Sequence, residues 1–205
     1  MIEKLENLGV FGANCYIVSS ETACVLVDAP CDAEYINSRL GGKKLDAILL
    51  THGHVDHFSA VSELVKLHGC KVFVASADKP MLESNKLCLA DYFHMPFYKC
   101  ENAVEIKDGE VLAFGDLEFK VVATPGHTKG SVCYLLGDTL FSGDTLFYNS
   151  VGRTDFSGGS FAVLIESIKK LALLGKNYRV LCGHGQETTL YREFEHNPFL
   201  EELRK

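Results

Sequence analysis

Thr51-His52-Gly53-His54-Val55-Asp56-His57 puts three imidazoles and a carboxylate within six residues, directly after the largely apolar run Leu45–Leu50. Neutral imidazole is the commonest nitrogen ligand for zinc, and a carboxylate oxygen can complete or bridge such a site. Leu45–Leu50 has no apolar/polar alternation, which suits a strand covered on both faces. After the motif, Phe58, Val61, Leu64 and Val65 recur at helical spacing until Gly69. The motif therefore reads as a strand-to-helix turn, with Asp56 or His57 at the helix start.

Three other segments repeat the pattern of an apolar strand running into a possible ligand, which weighs against a mere histidine-rich surface loop. Phe119–Ala123 leads to Thr124-Pro125-Gly126-His127, Thr139–Ser142 to Gly143-Asp144, and Tyr178–Cys182 to Gly183-His184. In open α/β sheets, ligands gather beyond the carboxyl ends of strands. The four strand ends supply five histidines and two aspartates, enough for two metal sites.

The rest of the chain supports a mixed α/β (α+β) arrangement, a single domain over 1–205. Strands are expected near Leu5–Phe11, Asn14–Val18 and Ala23–Val27, and Asp32 can cap a helix over Ala33–Leu40 closed by Gly41-Gly42. Lys71–Ala75 is a strand, and Ser76 or Asp78 opens a short helix with Pro80 in its first turn. Residues 84–100 fit no clean period and read as an excursion that either lines a pocket or covers core. Ala103–Ile106, Val111–Phe114 and Leu117–Ala123 look like antiparallel strands, and Ser131–Leu136 with Asp138–Phe141 like a hairpin around Gly137. Ser160–Leu174 is amphipathic, with Phe161, Leu164, Ile165, Ile168 and Leu171 on one side, and Tyr178–Cys182 is the last strand expected.

A net charge of −7 argues against non-specific nucleic-acid binding, which needs clustered Lys and Arg. The eight cysteines are scattered, several inside apolar runs, with no C-x-x-C pair. They read as free thiols, Cys182 among them as core. No signal peptide is apparent and no apolar stretch is long enough to span a membrane. A reduced, cytoplasmic protein with a small-molecule substrate is the expectation, its oligomeric state left open.

The H-x-H-x-D-H run His52–His57, together with His127 in Thr-Pro-Gly-His-Thr, Asp144 in Ser-Gly-Asp-Thr-Leu-Phe and His184 in Gly-His-Gly, resembles the metallo-β-lactamase superfamily through essentially the whole chain. That resemblance implies a four-layer αββα sandwich with two divalent metals in the cleft between its sheets, zinc first, iron or manganese as alternatives. His52, His54 and His127 would hold one metal, Asp56, His57 and His184 the other, and Asp144 would bridge them. Aspartate at the bridging position resembles the glyoxalase II side of the superfamily rather than the β-lactamases. Gly152-Arg153-Thr154-Asp155-Phe156 and the Gly183–Leu200 ending are similar to short glyoxalase II-like, or hydroxyacylglutathione hydrolase-like, proteins, and the former also to persulfide dioxygenases.

The implied activity is hydrolysis of a small thioester or related acyl compound by a hydroxide held between two metals, with Asp56 orienting it or passing its proton. The alternatives are a mononuclear iron persulfide dioxygenase and, less favoured, a non-catalytic metal-binding module. Full-length glyoxalase II adds a basic helical domain that holds the glutathione carboxylates. In this chain only about twenty residues follow His184, with Arg192, Arg204 and Lys205 as their basic members, so the carrier thiol stays unassigned. Arg153 is read either as an ion pair with Asp155 or as a fork for a substrate carboxylate, and Tyr148 and Asn149 as residues that could face the cleft.

Overall fold

The structure, a computed structural model, describes residues 1–204. It opens with three antiparallel strands, β1 (Ile2–Leu8), β2 (Ala13–Ser19) and β3 (Cys24–Val27). Asp32 caps α1 (Ala33–Arg39), accepting the Tyr35 N–H at 2.9 Å. Three parallel strands come next, β4 (Ala47–Leu49), β5 (Lys71–Ala75) and β6 (Val104–Ile106), with α2 (Val61–His68) and the one-turn α3 (Ala90–Phe93) in the connections. The second half is built on β7 (Val111–Phe114), β8 (Leu117–Ala123), β9 (Val132–Leu136) and β10 (Thr139–Gly143). A two-stranded ribbon, β11 (Leu146–Phe147) and β12 (Ser150–Val151), precedes α4 (Phe161–Ala172). Then β13 (Arg179–Cys182) pairs parallel to β10, and β14 (Thr188–Thr189), α5 (Leu190–His196) and a 3-10 segment, Pro198–Arg204, complete the described chain.

The two six-stranded sheets run in the orders β1-β2-β3-β4-β5-β6 and β14-β13-β10-β9-β8-β7. Strand alternation divides their side chains into three cores. Val25 and Val27 of β3 meet Phe119, Val121 and Phe141 between the sheets, while Cys24 and Leu26 turn outward to Ile36 of α1 and Val61 and Leu64 of α2. On the other side, Leu140, Val180 and Cys182 pack under Leu164, Ile168 and Leu171 of α4. Three cores between four layers is the αββα sandwich.

The expected strand over Ala103–Ile106 is present but does not pair antiparallel with β7. Instead, β6 pairs parallel with β5 and completes the first sheet. The Asp108-Gly109 turn then crosses between sheets, tied to β8 by Gly109 N–H to Val121 O (2.9 Å) and by Ala123 N–H to Asp108 Oδ1 (2.8 Å). A turn signal marks where the chain bends, not which sheet edge it joins. The helix after the motif also starts later than its period suggests. Val55–His57 forms a single 3-10 turn, and α2 begins only at Val61. The His57 carbonyl accepts from Ala29 N–H at 2.8 Å, so it is unavailable to a helix there. Phe161 is half exposed at the first turn of α4 rather than on its buried face. Tyr178–Cys182 is not the last strand, since β14 lies beyond it; two-residue strands leave no period to read.

Buried tyrosines and backbone bonds fasten the two sheets at one rim. The Tyr134 hydroxyl donates to Leu50 O at 2.7 Å and the Tyr16 hydroxyl to Cys182 O at 2.6 Å. Val132 N–H reaches Thr51 O at 2.9 Å and Asn14 N–H reaches Gly183 O at 2.7 Å. Tyr134→Phe should leave the Leu50 carbonyl unpaired in the core and cost about 1–3 kcal/mol. A drop in the urea midpoint with an unchanged slope would measure it.

Candidate metal centre

The segments beyond β4, β8, β10 and β13 converge at that rim. Donor atoms of His52, His54 and His127 lie within 4.8 Å of one another, as do those of Asp56, His57 and His184. A third group, His52, His57 and Asp144, joins the two. Asp144 sits between the sets, with Oδ2 at 3.5 Å from both His127 Nε2 and His184 Nε2 and Oδ1 at 3.4 Å from His57 Nε2. Asp56 Oδ2 is 3.5 Å from His184 Nε2.

Several of these atoms face each other at close range. His54 Nδ1 and His127 Nε2 are 2.9 Å apart, and His57 Nε2 and His184 Nε2 are 3.2 Å apart. His52 Nε2 and Asp144 Oδ1 are buried without any hydrogen-bond partner. Orphaned buried donors and acceptors are costly, and converging imidazole and carboxylate lone pairs are what a borderline divalent cation takes. The donor set therefore fits metal, and its two triads linked by one carboxylate give positions for two divalent ions.

A surrounding layer aims these ligands. Asp28, left-handed at φ 57°, accepts from Thr51 N–H and Thr51 Oγ1–H and takes His57 Nδ1, each at 2.8 Å. Thr51 Oγ1 is in turn 3.1 Å from His52 Nδ1. The carbonyls of Arg153 and Phe11 accept from His127 Nδ1 (2.7 Å) and His184 Nδ1 (3.1 Å). With Nδ1 so engaged, His57, His127 and His184 present Nε2 to the centre. Asp78 accepts from Gly53 N–H (2.9 Å), Gly130 N–H (2.7 Å) and the Thr128 hydroxyl (2.6 Å), tying the motif turn to the His127 turn.

Sequence reasoning missed Asp28 and Asp78. Asp28 read only as the last residue before Ala29-Pro30, although a carboxylate at the end of an apolar strand is itself a faint signal. Asp78 has none, because its partners come from both halves of the chain.

Electrostatically the triads differ. Burial holds the His52 imidazole well below its usual range and His54 down to about 3, with like-charged imidazole neighbours adding to it. Burial opposes charge on His57 and His184 too, but carboxylates win. Asp144, Asp28 and Asp56 hold His57 up at about 9, and hydrogen bonds to Asp144 and Asp56 hold His184 up at about 11. Burial would raise Asp144, yet His57 and His184 hold it well below the ordinary carboxylate range.

A model of the metallo-β-lactamase superfamily matches residues 8–184. The chain belongs to the metallo-β-lactamase superfamily. Hydroxyacylglutathione hydrolase GloC of Haemophilus influenzae is 31% identical over 93% of both chains. The crystal structure of the B3 metallo-β-lactamase BLEG-1 is similar at 33% identity and a TM-score of 0.91, over 98% of this chain and 100% of that one. The di-iron-bound form of TTHA1623 is similar at 34% identity and a TM-score of 0.88, over 97% and 100%.

In this superfamily member the cluster floors an open cavity of ≈340 Å³. His54, Asp56, His127, Asp144 and His184 form its polar side, and Phe11, Leu89, Phe93, Phe147, Val151 and Phe156 its apolar side. The excursion 84–100 does both jobs its composition left open. Leu89 and Phe93 line the cavity while Cys88, Ala90, Met95 and Phe97 pack on the first core. Arg153 also reaches the wall, but its Nε and Nη2 donate to Asp155 at 2.7 and 2.6 Å, forming the ion pair. Tyr148 and Asn149 are not brought to the cavity. The Arg192 guanidinium lies over the Tyr148 ring at 3.8 Å and donates to Asn149 Oδ1 at 2.9 Å. All eight cysteines are free, and no helix among the described residues is long and apolar enough to cross a membrane.

Two glycines admit the centre's backbone. A Cβ on Gly183 would collide with Asp144 Oδ1 and stand 2.9 Å from His57 Cε1, and one on Gly152 would strike the Asp144 carbonyl oxygen. Gly183→Ala should displace Asp144 and lower metal content while the fold survives. Metal analysis beside far-UV circular dichroism would read the two effects separately.

Proposed function

We propose that the chain is a dinuclear metal-dependent hydrolase that cleaves a small thioester, with zinc as its ordinary metal. The observation that carries this reading is the meeting of two donor triads at Asp144 on the floor of an open cavity. His52, His54 and His127 would hold one ion, Asp56, His57 and His184 the other, and Asp144 would contribute to both. Two such ions would, when bound, polarise an acyl carbonyl and lower the pKa of a bound water towards neutrality.

The chain's own groups supply the rest. The Asp56 carboxylate faces the cavity beside His184 and is placed to take the proton of the attacking water. Asp28 keeps His57 in the tautomer that offers Nε2 inward. Phe156, 6.0 Å from the His54 ring between centroids, shields that imidazole from bulk water. A departing thiolate is a weak base, its acid having a pKa of about 8.5, so it needs no strong proton donor. The Haemophilus influenzae relative's name supports a thioester. The similarity to BLEG-1 favours, as a second acyl substrate, a β-lactam. The di-iron form of TTHA1623 makes iron the metal to test against zinc.

Metal analysis of protein purified without added metal should find two ions per chain, and a thioester panel should show hydrolysis in excess of β-lactam hydrolysis. One iron per chain with oxygen uptake on a persulfide would replace the hydrolase by a dioxygenase. Asp144→Ala with metal content and activity both intact would sink the bridging role. Asp28→Ala, which touches no substrate, should lower metal affinity or activity about 10–100-fold, the usual effect of losing a ligand's orienting partner.

Metal uptake should also release protons. In the metal-free protein His57 and His184, held up at about 9 and about 11, carry protons at pH 7 that ligation must expel. Calorimetric titration in two buffers of different ionisation enthalpy would count them, and a buffer-independent heat would contradict the ligand assignment.

A further inference from the structure

The wall of the cavity is built from three segments far apart in the chain. Phe11 comes from the β1–β2 turn, Phe93 from α3 and Phe156 from the loop before α4. Their rings meet edge to face, Phe11 and Phe93 with centroids 4.6 Å apart and Phe93 and Phe156 at 5.8 Å. Such contacts fix ring positions as well as burying area. The backbone is bent to achieve this, since Leu89 and His94 at the two ends of α3 are both left-handed, at φ 69° and 54°. Bulky residues persist in that region only where surrounding packing holds them. The packing of Cys88, Ala90 and Met95 on the first core does so.

The one cation in the same wall is already paired with a carboxylate. Among the described residues lining the cavity, Arg153 alone carries a fixed positive charge. Its Nε and Nη2 both donate to Asp155, which balances its charge, and its guanidinium lies 4.0 Å from the Phe156 ring centroid, so it extends the apolar surface by stacking. At the ~30 Å³ one water takes in the liquid, ≈340 Å³ corresponds to about eleven waters. That suffices for an acyl group and its thioester linkage, and a peptide carrier would extend beyond it.

We infer that this site selects thioesters by an apolar acyl chain seated against Phe11, Phe93 and Phe156, and does not read the carboxylates of the carrier thiol. The inference rests on the thioester-hydrolase reading for its choice of substrate, and on the wall itself for its selectivity.

The test uses metal-loaded protein and straight-chain acyl thioesters from acetyl to hexanoyl, each on N-acetylcysteamine and on glutathione. kcat/KM should rise about fourfold per methylene, the factor equivalent to ~0.8 kcal/mol of buried CH₂, and differ little between carriers. Phe93→Ala should flatten that rise, while Phe93→Leu should keep most of it. A rate independent of chain length, or a strong preference for the glutathione series, overturns the inference and leaves the hydrolase reading standing. Equilibrium binding of the matching S-alkyl thioethers of N-acetylcysteamine separates the two ideas without turnover. Affinity that climbs with chain length while no thioester is hydrolysed upholds the apolar site and rejects the hydrolase. Affinity indifferent to chain length rejects the apolar site.

Discussion

Register between two sheets is the constraint on which everything else in this molecule depends. Four strands, β4 from the first half of the chain and β8, β10 and β13 from the second, must end at one rim with errors smaller than a metal–ligand bond tolerates. The apolar layer between the sheets supplies cohesion but little direction, because hydrophobic burial is non-directional. Direction comes from a few buried polar contacts at the rim. The Tyr134 and Tyr16 hydroxyls and the Val132 and Asn14 amides bind backbone atoms at or next to the ligand-bearing turns. Asp78 adds a side-chain clasp from the β5 side to the turn after β8.

The centre is assembled against its own electrostatics. Five imidazoles and two carboxylates converge, and four of the imidazoles are buried out of water. Burial opposes charge on each of the shifted groups, yet His57 and His184 are driven towards protonation and His52 and His54 away from it. The division follows the carboxylates. Asp28, Asp56 and Asp144 cluster about the second triad, whereas the first is surrounded mainly by other imidazoles. Without metal, His57 and His184 therefore favour protons while His52 and His54 disfavour them, and a divalent cation suits both.

Much of this was legible in the residues themselves. The unalternating run before Thr51, the spacing of Val61, Leu64 and Val65, and the glycine-flanked ligands after three other strands located all seven converging side chains. Pairing across distance could not be read. β6 carries the same turn signal as a hairpin strand but joins the other sheet, and Ile106 faces the core that both sheets line, so its apolar side chain suits either edge. Tyr148 and Asn149 stand close to Asp144 in the chain, yet they form the turn of the β11–β12 ribbon and lie against Arg192. Asp28 and Asp78 act only through partners more than twenty residues away.

The cavity and the metal centre share residues in a way that separates their tasks. Phe11 holds His184 with its carbonyl and contributes its ring to the wall. Arg153 holds His127 with its carbonyl and lays its side chain over Phe156. In both, the backbone serves the ligand and the side chain serves the cavity. Backbone acceptors survive almost any substitution that keeps the local conformation, whereas the side chains can be exchanged freely for shape and charge. A fold arranged this way can change what it binds without changing how it positions its imidazoles, which accounts in physical terms for one framework carrying relatives with different named substrates.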